Sequence, residues 1–245
     1  MDSARQAAVA ALMAPRSVAV VGATERTDAS SSFVMRNLIA KGFSGAIFPV
    51  HPRAENVFGL PAYPSIAALP QPPDVAVIGI AATHVADALD EAGRAGTRAA
   101  VVLASGFAET GEEGRTRQQR LAEIAARHGM AVCGPNCLGL FNLSTGAALY
   151  SSSLSANLER GGLAILSHSG ASAIAIANCG RFGLSHIVSA GNGAVTDMPD
   201  YLAFLANDPE TRVIGLVLET IRDPAAFAAA MRLAHAAGKP VLALR

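Results

Sequence analysis

Short apolar runs alternate along the chain with longer stretches in which apolar residues recur at every third or fourth position. The short runs are rich in β-branched residues and are apolar throughout, which is typical of parallel strands buried on both faces. In the first part of the chain they predict strands at 17–22, 46–50, 75–80, 99–104 and 131–133. Helices are predicted between these strands at 31–41, 84–95 and 112–128, and a docking helix is predicted within 1–16.

The pattern lapses over residues 144–160, a polar, Ser-containing stretch that predicts a linker. A shorter series follows, with strands predicted at 163–166, 186–190, 213–219 and 241–244 and helices at 171–181, 198–206 and 224–237. We therefore predict an α/β protein with parallel sheets, composed of a doubly wound Rossmann-like domain at 1–145 and a smaller α/β domain at 161–245. Because the second series stops on an apolar strand, we expect a boundary within a longer protein or a partner that completes the layer.

Composition and charge narrow the possible classes of function. Hydrophobic residues make up 51% of the chain and charged residues 16%, which is typical of a globular protein. Lys plus Arg and Asp plus Glu both number 19, so no excess of positive charge attracts nucleic acid or an anionic membrane. The longest uncharged stretch, 161–180, contains too many polar residues for a membrane helix. Cys133, Cys137 and Cys179 lack metal-type spacing and are predicted to be buried, reduced thiols of a cytoplasmic protein.

The turn after the first predicted strand is a candidate phosphate site. Gly22 lets a ligand approach the backbone, and Thr24 belongs to a run of small hydroxyl residues that leads to the amides of the next helix. This is not a GxGxxG turn, and His51, Pro52 and Arg53 occupy the place where a dinucleotide-binding protein carries an acidic residue. They suit a phosphorylated ribose, as in NADP or the 3′-phosphate of coenzyme A. The alternative is an ordinary loop in which Arg53 is solvated.

Further loops are expected at the same edge, because the carboxyl ends of parallel strands lie together. They contribute five more candidate residues: Ile80, Ala81, Ser105, Gly106 and Asn136. The Asn136 amide offers a donor and an acceptor, which suits the amide groups of pantetheine. Cys137 is a candidate nucleophile, but no base is predicted beside it, so a packed thiol is favoured.

A second candidate site begins where a strand turns into a helix, in the segment Ser167, His168, Ser169 and Gly170. As a hydrolase elbow, Ser169 needs a later acid and a later histidine, and neither His186 nor His235 is well placed. As an anion site, the segment presents Ser169, Gly170 and helical amides to a phosphoryl group. A simple polar helix cap is the third interpretation. We favour the anion site, with His168 as a phosphate contact or a hydrogen-bonding residue.

Two more residues are predicted at this second edge. Asn192 lies in a loop between glycines that is flexible enough to wrap an anion. Glu219 ends the third strand of the series, where its carboxylate is able to orient an imidazole for phosphoryl chemistry. A solvated strand end is the alternative for Glu219.

Six segments then carry a family resemblance: APRSVAVVGAT at 14–24, FPVHPR at 48–53, SGFAE at 105–109, GPNCLG at 134–139, SHSGA at 167–171 and KPVL at 239–242. In this order they resemble the NDP-forming acyl-CoA synthetases, relatives of the succinyl-CoA synthetase α subunit. The resemblance covers about residue 12 to residue 245. It implies a CoA-binding Rossmann domain followed by a flavodoxin-like ligase domain.

The resemblance implies conversion of a carboxylic acid, CoA and ATP into acyl-CoA, ADP and phosphate through an acyl phosphate and a phosphohistidine. It assigns CoA contacts to Gly22, Thr24, His51, Pro52 and Arg53, and it places Asn136 near the reacting thiol. It further assigns phosphate contacts to Ser169 and Gly170, and the orientation of the phosphohistidine to Glu219.

The sequence departs from the family pattern at His51, where Asn is more usual, at His168, where Gln or Arg is more usual, and near Ala81, where a proline is lacking. The resemblance implies that the phosphohistidine segment lies just beyond Arg245 and that the ATP-grasp domain, which binds ATP or ADP with Mg²⁺, is not present in this chain. We therefore expect this portion to be inactive alone, to need an ATP-grasp domain or subunit, and to form an oligomer. The alternatives are a stand-alone CoA or acyl-CoA binding module and a serine hydrolase that uses Ser169.

Overall fold

The first sheet contains five parallel strands. The computed structural model of the protein describes residues 3–244. Its first strands are β1 (Ser17–Val21), β2 (Ala46–Val50), β3 (Asn56–Val57), β4 (Leu60–Pro61), β5 (Val75–Ile78), β6 (Ala99–Val102) and β7 (Ala131–Cys133), of which β3 and β4 form a separate small hairpin. The order across the sheet is β2-β1-β5-β6-β7, which confirms the predicted doubly wound fold. The chain changes direction between β1 and β5, the position at which such sheets bind ligands.

Helices cover both faces of this sheet: α1 (Ser3–Met13), α2 (Ser30–Ala40), α3 (Ala82–Arg94) and α4 (Glu112–His128). Alternate strand residues belong to two separate cores, so that Val18 and Val77 lie in one and Ala19 and Ile78 in the other. This two-sided burial explains the continuous apolar runs in the sequence. The predicted docking helix is confirmed for the described residues of α1, of which Leu12 is fully buried.

The second sheet has six strands: β8 (Gly139–Asn142), β9 (Ala147–Tyr150), β10 (Arg160–Ser167), β11 (Leu184–Ser189), β12 (Val213–Val217) and β13 (Val241–Leu244). Their order is β13-β12-β10-β11-β8-β9, with the last four in chain order parallel and the β8–β9 hairpin antiparallel. Three helices accompany them: α5 (Gly170–Asn178), α6 (Met198–Asn207) and α7 (Pro224–Ala236). All four strands predicted for this region are present.

The prediction of a patternless linker over 144–160 is wrong in its first part. Strand β9 lies inside this range, and all four of its residues are buried. Four residues are too few to establish a hydrophobic period, and the preceding Gly146 and following serines give only turn signals. Strand β8, which falls within the first predicted domain, also pairs with the second sheet. The pairing therefore crosses the predicted domain boundary.

A loop from the second sheet pairs along the edge of the first. The backbone N–H groups of Asn192, Ala194 and Thr196 donate to the carbonyls of Pro135, Gly134 and Val132 at 2.9, 3.1 and 3.2 Å. These bonds run along β7 and the turn that follows it, and they bring the loop edges of the two sheets together.

The cysteines are only partly as predicted. Cys133 and Cys137 are buried thiols, whereas Cys179 is exposed. Cys179 is the residue after the end of α5, which ends at Asn178 and not at the predicted residue 181. Across residues 3–244, no helix combines the length and the apolar character needed to cross a bilayer.

Candidate functional site

Gly22 forms the tight turn at the point where the first sheet changes direction. Its φ is +78°, and a Cβ there would lie 2.6 Å from Ile80 Cγ2 and 3.0 Å from the Gly79 carbonyl oxygen. The N–H groups of Gly22 and Ala23 both donate to the Val50 carbonyl, at 3.0 and 3.2 Å. Only glycine fits this conformation and this space, so the backbone is open to a ligand at the predicted place.

His51 organises the turn that follows β2. Its Nδ1 accepts the backbone N–H groups of Arg53 at 3.2 Å and of Ala54 at 2.9 Å. Because Nδ1 is an acceptor, the proton of the neutral ring lies on Nε2. An asparagine oxygen makes the same kind of turn, so histidine here retains the local geometry of the residue more usual in the family. The side chains of Pro52 and Arg53 are exposed.

The loop between β1 and α2 is fastened on both sides. Thr24 Oγ1 accepts the Arg26 N–H at 3.3 Å, and Ser31 Oγ donates to the Gly22 carbonyl at 2.7 Å. Glu25 Oε1 accepts the Phe58 N–H at 2.7 Å, which ties the loop to the β3–β4 hairpin. The loop is therefore held in shape by contacts between its own residues and by a contact with the β3–β4 hairpin.

Glu109 shapes the loop after β6. Its Oε1 accepts the N–H groups of Gly106 and Phe107 at 2.6 and 3.0 Å, and its Oε2 accepts the Asn192 amide at 2.7 Å. Partial burial raises the pKa of Glu109, but these hydrogen bonds outweigh it and hold the pKa below its usual value. The carboxylate is thus kept charged while it joins loops from both sheets.

At the second edge, Ser169 is the N-cap of α5. Its Oγ accepts the Ser172 N–H at 3.3 Å, and Ser167 Oγ donates to the Ser169 carbonyl at 2.7 Å. A Cβ at Gly170 would lie 2.9 Å from Leu138 Cδ1, so the start of the helix is in close contact with the segment between β7 and β8. The cap interpretation of Ser169 therefore describes its local contacts, and those contacts leave its hydroxyl proton available.

His168 is buried beside this cap, and both of its ring nitrogens are hydrogen-bonded. Nδ1 accepts the Glu219 backbone N–H at 3.2 Å, and Nε2 lies 3.3 Å from Asp197 Oδ1. The geometry therefore describes a neutral ring with its proton on Nε2 that donates to Asp197. This geometry favours the hydrogen-bonding role for His168. A direct contact between His168 and phosphate stays a prediction.

Asp197 is the centre of this group. It caps α6 in a reciprocal capping box with Asp200, and its Oδ2 lies 3.8 Å from Arg222. Burial raises the pKa of Asp197, but the hydrogen bonds from His168 and the Met198 N–H, with the charge of Arg222, bring the pKa below its usual value.

The geometry does not support a serine hydrolase. His186 lies in the middle of β11 opposite Ala164, beside Thr211 and Asp208, whereas Ser169 follows the end of β10. His235 is exposed in the last turn of α7. Neither later histidine is placed to accept a proton from Ser169, and His168 is engaged with Asp197.

Comparison with known proteins identifies the family to which the chain belongs. A family model described as a CoA binding domain matches residues 16–142, slightly more than half of the chain. The chain belongs to the CoA-binding domain family. A second model, described as a succinyl-CoA ligase like flavodoxin domain, matches residues 160–245. Both predicted domain types are thereby confirmed.

Several relatives of this chain are named as CoA synthases or CoA ligases. It is 40% identical to a trans-feruloyl-CoA synthase from an unknown prokaryotic organism over 95% of this chain and 34% of that one. It is 36% identical to the α subunit of an ADP-forming acetate–CoA ligase I from Pyrococcus furiosus over 89% of this chain and 48% of that subunit. The chain therefore spans about a third to a half of the relatives that it matches.

A solved structure confirms the fold. The dinucleotide-forming acetyl-coenzyme A synthetase 1 of Ca. Korarchaeum cryptofilum, in complex with phosphate and ADP, superimposes with a TM-score of 0.88 at 34% identity. The match covers 97% of this chain and 51% of that one. The fold of the two mainly parallel α/β sheets is thus the fold found in that enzyme.

The residues at the first edge are compatible with a CoA molecule. Gly22 provides a backbone cradle that a side chain would fill. Exposed Arg53 and the Nε2 proton of His51 are donors at the end of β2, and Asn136 lies at the end of β7, four strand spacings or about 19 Å away. The candidate contacts thus extend across the edge, as an elongated nucleotide carrier requires.

Sequence reasoning assigned no role to four side chains of the site. Glu109 and Gln118 accept the Asn192 amide and so connect the two edges, whereas Asp197 and Arg222 hold the second edge around His168 and the loop 191–193. The Asp-Met-Pro-Asp signal at the start of α6 marks Asp197 as a helix cap, but no pattern shows that Asp197 also contacts His168. Predicted Glu219 is exposed, and the contact that joins it to the site is its backbone N–H on His168.

Proposed function

We propose that the chain is the CoA-binding and phosphate-handling portion of an NDP-forming acyl-CoA synthetase. The complete reaction converts a carboxylic acid, CoA and ATP into acyl-CoA, ADP and phosphate. An acyl phosphate and a phosphohistidine are the intermediates that the family resemblance implies.

One observation carries this proposal: the two loop edges meet. The Nδ2 of Asn136, in the loop after β7, lies 3.3 Å from the Oδ1 of Asn192, in a loop of the second sheet. The transfer of an acyl group from phosphate to a thiol requires both groups at one place. A CoA crevice that ends beside a phosphate-binding helix start supplies that proximity.

Each edge has a proposed role. Ten residues of the first edge are proposed to hold CoA: Gly22, Thr24, His51, Pro52, Arg53, Ile80, Ala81, Ser105, Gly106 and Asn136. At the second edge we propose that Ser169 and Gly170 bind phosphate and that Glu219 orients the phosphohistidine. The predicted phosphate contact of Ser167 is unsupported by the geometry, because Ser167 is buried and its hydroxyl donates to the Ser169 carbonyl.

The remaining parts of the reaction are proposed to come from outside this chain. The matched relatives are two to three times longer, which leaves room for an ATP-grasp domain with its Mg²⁺ and nucleotide, as a further domain or a subunit. We propose that the assembly is oligomeric and works in the cytoplasm. The relatives are named for ferulate, acetate and 4-hydroxybutyrate, so the acid is to be found by testing a panel.

The test combines binding and turnover. Calorimetry on this chain should show CoA binding that is weakened by Arg53→Ala. Addition of the ATP-grasp region, in one chain or as a subunit, should then produce phosphate release from ATP that depends on both CoA and one acid of the panel.

The two measurements separate the alternatives. Failure of CoA to bind would overturn the proposal. CoA binding without turnover, under conditions in which the added region binds ATP, would instead identify a stand-alone CoA-binding module.

A further inference from the structure

The side chain of Asn192 has no N–H group left for phosphate. Its Nδ2 donates to Glu109 Oε2 at 2.7 Å and to Gln118 Oε1 at 2.9 Å. Its Oδ1 accepts from Asn136 Nδ2 at 3.3 Å. Its backbone N–H donates to the Pro135 carbonyl at 2.9 Å. Since a phosphate oxygen needs donors, the predicted phosphate-binding role of Asn192 is unsupported by the geometry.

The backbone around Asn192 is equally constrained. Arg222 donates to the carbonyls of Asn192 and Gly193. Gly191 has a φ of +58°, and a Cβ there would lie 2.4 Å from the carbonyl oxygens of both Pro135 and Asn136. The loop 191–193 is therefore in close backbone contact with the turn that carries Asn136.

The side chain of Asn192 is connected by hydrogen bonds to two loops of the first edge, the loop after β6 and the loop after β7. Through Glu109 it reaches the loop of Gly106, because the other oxygen of the same carboxylate accepts the Gly106 N–H. Through its own oxygen it reaches Asn136. Gly106 and Asn136 follow β6 and β7, which lie at the opposite end of the edge from Arg53.

We propose that Asn192 is a positioning residue that fixes Gly106 and Asn136 at the pantetheine end of the CoA crevice. The proposal rests on the proposed function, since it concerns the same CoA crevice. The second sheet thus completes the end of a binding site that the first sheet begins. Asn192 itself contacts neither CoA nor phosphate.

A truncated ligand separates positioning from general stability. Adenosine 3′,5′-bisphosphate carries the charged nucleotide part of CoA and lacks the pantetheine arm. We expect Asn192→Ala to raise the Kd for CoA about tenfold, the effect of losing one charge-assisted hydrogen bond. The Kd for adenosine 3′,5′-bisphosphate should change less than about twofold, because its contacts lie at the distant end of the edge.

Three further variants make the test specific. Asn207→Ala removes an exposed amide whose Nδ2 donates to Ala203 and should leave both Kd values unchanged. Asn192→Asp places a carboxylate against Glu109 and should weaken CoA binding more than Asn192→Ala. Adding Glu109→Gln to Asn192→Asp exchanges donor and acceptor across the 2.7 Å contact and should restore most of the affinity.

Hydrogen exchange tests the inference without any ligand. The Gly106 N–H bonds Glu109 and the Asn136 N–H bonds the Ala104 carbonyl at 2.9 Å. Both amides should exchange faster in Asn192→Ala, while amides of β1 and β5 keep their protection. Unchanged exchange at both positions, or equal losses of affinity for CoA and the bisphosphate, would overturn the inference. If the unmodified chain binds neither ligand, the proposed function fails, and exchange alone decides the role of Asn192.

Discussion

The loop edges of both sheets carry histidine and arginine side chains, but those of the first edge have exposed donors and those of the second edge are paired within the protein. At the first edge, exposed Arg53 and the Nε2 of His51 extend beyond a backbone turn that is already fixed by its own contacts. At the second edge, His168, Asp197 and Arg222 are engaged with one another and with backbone groups. The first edge therefore keeps donors for a ligand, whereas the second uses its charged groups to hold a frame.

This difference follows from burial. A buried polar group that lacks a partner is costly, and the side chain of His168 is only 2% exposed. The pairing at the second edge is therefore required by folding before any ligand binds. At the first edge, solvent satisfies the donors until a ligand replaces it. We infer that substitutions of the exposed donors at the first edge act mainly on binding, and those of His168, Asp197 and Arg222 at the second edge mainly on stability.

The largest effect is expected from Gly22→Val at the first edge. The new side chain would clash with Ile80 and would force a left-handed φ on a β-branched residue, so the turn must move. We expect the Kd for CoA to rise about 100-fold, about 3 kcal/mol, in calorimetry.

Gly238→Val is the matched control for this substitution. Gly238 also has a positive φ, of +69°, and a Cβ there meets no atom within 4 Å. Both variants carry the backbone strain, but only the first is expected to lose CoA. An equal loss of CoA affinity in the two variants would show that backbone strain alone, and not the space at Gly22, lowers the affinity.

The second prediction concerns pH and His186, a buried histidine of the second sheet whose partners are incomplete. Burial lowers its pKa from 6.5 to about 4, although nearby Asp208 opposes the shift. Because the folded-state pKa is depressed, the unfolded chain binds the proton more tightly. The stability is present above pH 6.5 and falls as the pH decreases from 6.5 to 4, by about 3 kcal/mol in total.

Urea unfolding at several pH values measures this dependence. His186→Leu should remove that part of the slope between pH 6.5 and 4, whereas His235→Ala, at an exposed position, should retain it. A slope that survives in His186→Leu would assign the titration to other groups. His168, with both nitrogens paired in the same sheet, is the natural comparison.

The third prediction tests the frame at the second edge directly. His168→Leu leaves the Asp197 carboxylate without its ring partner and the Glu219 N–H without its acceptor. We expect a loss of about 2 kcal/mol in unfolding free energy. His168→Gln retains a donor for Asp197 and should lose less than half of this. Chemical denaturation of both variants measures this loss of unfolding free energy. The Kd for CoA, as a second measurement, should stay near that of the unmodified chain.

The sequence predicts the sheets better than the site, for a physical reason. Strands β2 and β7 are found at the predicted residues, because continuous burial leaves a local apolar signal. The contact between His168 and Asp197 spans 29 positions and that between Asn192 and Glu109 spans 83, and neither leaves a local pattern. The sequence predicts that Asn192 lies at the loop edge of the second sheet, and it does. Its hydrogen-bond partners belong to the first domain, so no local sequence pattern predicts these contacts. The short strand β9 was missed because its four residues lie among turn signals.

The smallest effect is expected at His51, where it separates the shape of the first edge from its donors. His51→Ala removes the acceptor for the Arg53 and Ala54 N–H groups, and we expect the Kd for CoA to rise about fivefold, about 1 kcal/mol. His51→Asn keeps an acceptor for the turn but loses the Nε2 donor. If the turn is what matters, calorimetry should give a Kd within about twofold of the unmodified chain for the asparagine variant. An asparagine variant as weak as the alanine variant would instead show that the imidazole donates to the ligand, and the first edge would then depend on its side-chain donors more than on its backbone shape.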